Sequence, residues 1–212
     1  MGAKTWIIVH AEADARAALA AKPALDVAAT RDFVASLFPG KRFTDSGTGD
    51  LLYTNPPERQ VFAGCFPGVR IAASLDFGKD YPSKTPTRFV ASQGRTCLHA
   101  MHSVVDWFAF AVWQDGVLQR ALSLSPDSGI IEDIGRRAAF EEPFWGGTHP
   151  AVAPGEDPSS YPLPFHPLEL GEAALKDFFG YQIEGGIEPD LLDPESIPLL
   201  HFTEKKAWWR LL

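Results

Sequence analysis

A chain of 212 residues, 45% hydrophobic and 22% charged, carries enough apolar material for one sizeable core. No apolar run reaches the roughly 18–20 residues that span a bilayer, and Glu12 and Asp14 follow the short N-terminal run where a signal peptide would carry small residues. A net charge of −8, with no basic stripe interleaved with aromatics, argues against nucleic-acid binding.

The charge is uneven. Residues 1–140 hold 15 basic and 14 acidic side chains, residues 141–200 hold 12 acidic side chains against Lys176, and residues 201–212 hold Glu204 against Lys205, Lys206 and Arg210. The middle of these segments therefore carries −11 by itself. Cys65 and Cys97 both lie in apolar surroundings, which predicts two reduced, buried thiols and a cytoplasmic compartment.

In chain order, TWIIVHA (5–11) predicts a first strand. Asp14 is placed to cap a short alanine-rich helix ending before Pro23. Asp26 is placed to cap a second, in which Val27, Thr30, Phe33, Val34 and Phe38 share one side until Pro39-Gly40 stops it. The segment DSGTGD (45–50) reads as a glycine-bearing loop. Two extended pieces follow within 60–77, joined at Pro67-Gly68, and residues 83–93 carry a weak helical pattern.

The strongest local signal is a hairpin over FAFAVWQDGVLQRALSLS. Asp115-Gly116 favours a type I′ turn, whose central residues both need positive φ. A regular count from that turn pairs Gln114 with Val117, Trp113 with Leu118, Ala109 with Leu122 and Trp107 with Leu124. It sets Trp107, Trp113, Leu122 and Leu124 on one face, and Phe108, Phe110, Ala121 and Ser123 on the other. GIIEDIG predicts a further strand. Beyond residue 140 lie ten of the 18 prolines and one evident helix, opening at Pro167 and stopping at Gly180. The proline-broken remainder reads as an arm without regular structure that lies across the body. Burial of half its aromatic side chains, on the order of 6–12 kcal/mol, outweighs repulsion between charges screened beyond roughly 8–10 Å.

Candidate chemistry concentrates in LHAMHSVVDW (98–107). His99, His102 and Asp106 would share a helical face, and two imidazoles with a carboxylate suit a divalent metal. The hairpin makes this region extended instead, which sends His99 and His102 to opposite faces, and the structural reading of both rings is favoured. Asp106 interrupts an apolar run, so it needs partners; the counted register sets Ser125 opposite it, and a general base acting with His102 is the sharper alternative. The chain holds no G-x-S-x-G elbow, P-loop, H-E-x-x-H, paired CxxC or dinucleotide fingerprint, and no cofactor is predicted. The tail KKAWWRLL offers Trp208-Trp209 for docking on the body or on a second subunit, which would make a homo-oligomer.

MGAKTW, LHAMHSVVDWFAFAVW with its Asp-Gly turn, LSLSPDSGIIEDIG and PLPFHPLELGEAALKDFFG together resemble a family of uncharacterised actinobacterial proteins that carries only a domain-of-unknown-function label. The resemblance spans nearly the whole chain and implies a stand-alone bacterial protein. It brings no activity, ligand or catalytic residue with it.

The expectation is one α+β domain over residues 1–212. It comprises a mostly antiparallel sheet with a central hairpin and packed helices, and a proline-rich C-terminal arm from about 141 wrapping the body. A non-catalytic binding or regulatory protein, with a protein or small-molecule partner, is favoured over an enzyme built around His99, His102 and Asp106.

Overall fold

The computed structural model describes residues 3–153, 155, 157 and 160–205. Among them nine strands form one sheet, every neighbouring pair antiparallel. They are β1 (Lys4–Ala11), β2 (Phe43–Asp50), β3 (Gln60–Phe66), β4 (Val69–Ala73), β5 (Arg95–His102), β6 (Trp107–Gln114), β7 (Val117–Ser125), β8 (Gly129–Gly135) and β9 (Pro198–Glu204). Their order is β2-β9-β3-β4-β1-β5-β6-β7-β8. The middle position belongs to β1, whose TWIIVHA is buried along its length, so the β6–β7 hairpin lies towards one side and not at the centre.

Among the described residues four α-helices accompany the sheet: α1 (Ala15–Ala20), α2 (Val27–Leu37), α3 (Glu142–Trp145) and α4 (Pro167–Phe179). Asp14 and Asp26 cap α1 and α2 by accepting hydrogen bonds from the amides of Arg16 and Ala29, as a carboxylate at such a position does. Gly180, at φ +81°, ends α4. The stretch 83–93 forms two short 3-10 turns, Pro82–Lys84 and Thr87–Phe89, where a helix was expected, because Pro86 interrupts the pattern between them.

The sheet separates two cores. One face packs Ile7, Val9, Met101, Phe108, Phe110, Leu122 and Leu124 with Leu170, Leu175 and Phe178 of α4. The other packs Trp6, Ile8, Ala109, Trp107 and Trp113 with Phe33, Val34 and Leu37 of α2. Two expectations are corrected by this arrangement. The Asp115-Gly116 turn does pair Gln114 with Val117 and Trp113 with Leu118, with both turn residues at positive φ. A bulge then pairs Val112 with Arg120, leaving Gln119 as the extra residue. The register beyond shifts by one, so Leu122 and Leu124 join Phe108 and Phe110, while Ala121 joins the tryptophans. The second correction concerns DSGTGD and IPLLHF, read as a loop and as irregular arm. They form β2 and β9, and β9 enters the sheet interior between β2 and β3. Pro198 is tolerated because it begins its strand.

Candidate functional site

The three residues singled out in LHAMHSVVDW do not meet. His99 is fully buried on the α4 face. Its Nε2 donates to the carbonyl of Gly171 at 2.9 Å, and its Nδ1 accepts from the Thr5 hydroxyl at 2.7 Å. A carbonyl only accepts, so Nε2 carries a proton; burial pushes the ring's pKa down to about 4, which leaves Nδ1 unprotonated at neutral pH to accept from Thr5. The ring fastens α4 to the sheet where the helix backbone approaches it closely: a Cβ on Gly171 would stand 2.7 Å from Met101 Sδ. His102 is on the opposite face beside Trp6, with its Nδ1 accepting from Val104 N at 3.2 Å. Asp106 sits at φ +46° in the turn between β5 and β6. Its partner is His166, the N-cap of α4, at 3.7 Å. Ser125, expected opposite Asp106, instead accepts from the amide of Ser128, because the bulge moves it along by one position. Among the described residues, no three His, Cys, Asp or Glu side chains are grouped to hold a metal ion.

Burial of His99 has a counterpart in Glu172, the residue that follows Gly171 on the helix. Glu172 accepts from the amides of Ile183 and Glu184, yet burial lifts its carboxyl to about 7. Between about pH 4 and 6.5 the unfolded chain protonates the imidazole and the folded chain does not, so stability rises with pH. Between about 4.5 and 7 the folded chain holds the carboxyl proton and the unfolded chain does not, so stability falls with pH. The two windows overlap with opposite signs. Urea titrations at stepped pH should therefore show stability rising less steeply across pH 4.5–6.5 in the native protein than its lowered histidines alone would give. Glu172→Gln should show stability climbing with pH over the same range; an unchanged profile in the variant would refute the raised carboxyl.

A concavity lies elsewhere, over one end of the sheet. Cross-strand pairing aligns Cys65, Arg70, His10 and Thr96 on β3, β4, β1 and β5. Directly opposed residues share a face, so this polar row lies on the α2 side. Each member except Arg70 holds down a neighbouring segment. Cys65 bonds the start of α2 through its backbone: its N–H donates to the Thr30 hydroxyl and its carbonyl accepts from Asp26 N, both at 2.9 Å. His10 Nε2 donates to the Phe89 carbonyl at 2.7 Å, and Thr96 Oγ1 accepts from Ala91 N at 3.0 Å. The row therefore positions α2 on one side and residues 89–91 on the other.

Between α2 and the β3–β4 hairpin runs an open groove of about 1190 Å³. Leu25, Val27, Phe33, Phe66 and Val69 give it apolar surface, with Glu12, Asp26 and Asp32 along the same walls. It continues into a recess of about 290 Å³ reached by Arg70 and Arg88 together with Ser36, Ser92 and Gln93. The guanidinium of Arg70 lies over Phe33 at 5.5 Å, and that of Arg88 over Phe89 at 4.3 Å. The Cys65 thiol is pushed up by burial, and the His10 ring is pushed down by burial against its bond to Phe89. Both are uncharged at neutral pH. That makes the thiol a poor nucleophile.

No motif in the sequence marked His10 or Arg70 as site residues. His10 closes an apolar strand and Arg70 interrupts one, and those interruptions were the only available signal. Their alignment depends on the register of four strands, which is not written locally.

A family model described as a family of unknown function, DUF6928, matches residues 5–202. The chain belongs to that family. The matched region includes the whole polar row, the groove and most of β9. Comparison with curated proteins and with solved structures gave no match. No helix among the described residues is long and apolar enough to cross a membrane. The Trp208-Trp209 tail, expected to dock on the body or on a second subunit, lies outside the described residues.

Proposed function

We propose that this family member is a non-catalytic binding or regulatory protein that receives a small molecule in the groove between α2 and the β3–β4 hairpin. The observation that carries this reading is the groove itself. Its volume exceeds the roughly 300–1,000 Å³ of ordinary small-molecule pockets, and it combines apolar walls with convergent polar groups. Uncharged Cys65 and His10 fit binding better than nucleophilic chemistry. An enzyme organised around His99, His102 and Asp106 finds less support, because those side chains occupy two faces and a turn. The two unpaired cysteines fit a reducing compartment, the cytoplasm.

Ala28 provides the test. It is exposed and lines the groove, so Ala28→Trp should fill the space while changing stability by only about 0.5 kcal/mol. Thermal-shift screening of a metabolite panel should find binders that stabilise the native protein and not the variant. Amide shifts from those binders should map to residues 24–36 and 65–70. Binders that act equally on both proteins, or map elsewhere, would exclude the groove.

A further inference from the structure

We infer that the recess at the end of the groove recognises a phosphate monoester, held by Arg70 and Arg88, with the apolar body of the ligand lying along Phe33 and Leu25. This rests on the groove being a binding site. Four observations point the same way. The first is charge: the chain carries −8, yet the recess is lined by two arginines and by no Asp or Glu. Neither guanidinium forms an ion pair among the described residues, whereas Arg16, Arg31 and Arg120 do.

The second is order. Each guanidinium rests on an aromatic ring that is itself held in the core, Phe33 at 5% and Phe89 at 1% exposure. Cation–π contact orients a guanidinium while leaving its N–H groups unused. The third is origin. Arg70 comes from β4 and Arg88 from the Thr87–Phe89 turn, so the two approach the recess from separate walls. A planar carboxylate is satisfied by one guanidinium fork. A tetrahedral phosphate, with three free oxygens, accepts from two forks and still takes a hydroxyl. The fourth is that hydroxyl and amide supply: Ser36, Ser92 and Gln93 border the same recess, and neither the Ser92 nor the Gln93 side chain has a protein partner among the bonds described. The acidic side chains Glu12, Asp26 and Asp32 line the wider groove, which Arg70 also borders, and among the described residues none of them forms an ion pair with either arginine.

The test uses the full chain and three probes that share a ring: phenyl phosphate, benzoate and benzyl alcohol, each titrated calorimetrically and by amide shifts. Phenyl phosphate should bind most tightly, shift the amides of Ser92 and Gln93, and weaken as salt is raised. Arg70→Ala and Arg88→Ala should each lower its affinity about ten- to a hundredfold, the loss of one charge-assisted contact. Arg70→Lys and Arg88→Lys, which keep the charge, should lose less. A thermal midpoint for each variant confirms that it is folded. Benzoate binding as tightly as phenyl phosphate would overturn the choice of phosphate. Benzyl alcohol binding in an Ala28→Trp-sensitive way, with phenyl phosphate no tighter and indifferent to both arginines, would overturn the recess and leave the groove reading standing. Failure of all three probes at millimolar concentration would overturn the groove reading with it.

Discussion

Removing residues 141–212 should leave a remainder that does not fold cooperatively. The reason lies in the sheet. β9 pairs with β2 on one side and β3 on the other, so its loss strands β2 and opens the β3 edge. The same cut removes Phe165, Leu170, Leu175, Phe178, Phe179, Leu199 and Phe202, all nearly or fully buried. At about 1.5–3 kcal/mol each, these seven side chains contribute on the order of 10–20 kcal/mol, which matches or exceeds the ~5–15 kcal/mol of net stability typical of a domain. The exposed face would present Met101, Phe108 and Phe110 to water. Expression of residues 1–140 should give aggregates or a state with secondary structure but no near-ultraviolet circular dichroism. A soluble fragment with a sharp urea transition would show that the C-terminal third is dispensable to the fold.

Glu141→Ala should be the most damaging single substitution outside the apolar core, costing about 3–5 kcal/mol. Glu141 is fully buried and takes both oxygens' worth of partners: Arg120 Nε at 2.9 Å, Arg120 Nη2 at 2.7 Å, Ala138 N at 2.8 Å and Trp145 Nε1 at 3.3 Å. Arg120 is 3% exposed and also pairs with Asp133. Together these groups tie the α3 region to β7 and β8. Truncating the glutamate leaves a buried guanidinium with only the half-exposed Asp133 opposite it, and an uncompensated buried cation is what makes such breaks expensive. The thermal midpoint should fall by about 6–20 °C for a chain of this size. Arg120→Met combined with Glu141→Leu, which removes both charges, should recover much of the loss. A midpoint unchanged in Glu141→Ala would mean that the pair is open to water in solution.

Local signals determined the elements whose causes are local. Asp14 and Asp26 mark helix starts because a side-chain carboxylate satisfies amides two or three residues ahead. Asp115-Gly116 marks a hairpin because the turn itself demands positive φ. TWIIVHA and the Pro167–Gly180 helix follow from composition and end signals in the same way. The antiparallel α+β character was legible from these pieces.

What the tertiary structure decided is everything set by contacts distant in the chain. No local feature marks Gln119 as a bulge, yet that one residue moves Leu122 and Leu124 to the other core. β2 and β9 are weak strands, one glycine-bearing and exposed, the other begun by proline. They become strands because each supplies hydrogen bonds to the other across 148 to 161 residues of chain. His99 looked like chemistry because imidazole is the usual ligand and base; its environment made it a neutral bridge between Thr5 and Gly171. The groove is the clearest case. Cys65, Arg70, His10 and Thr96 stand in one row only because three separate strand pairings bring them into register, and the energy that selects those pairings is spread over the cores on both faces of the sheet.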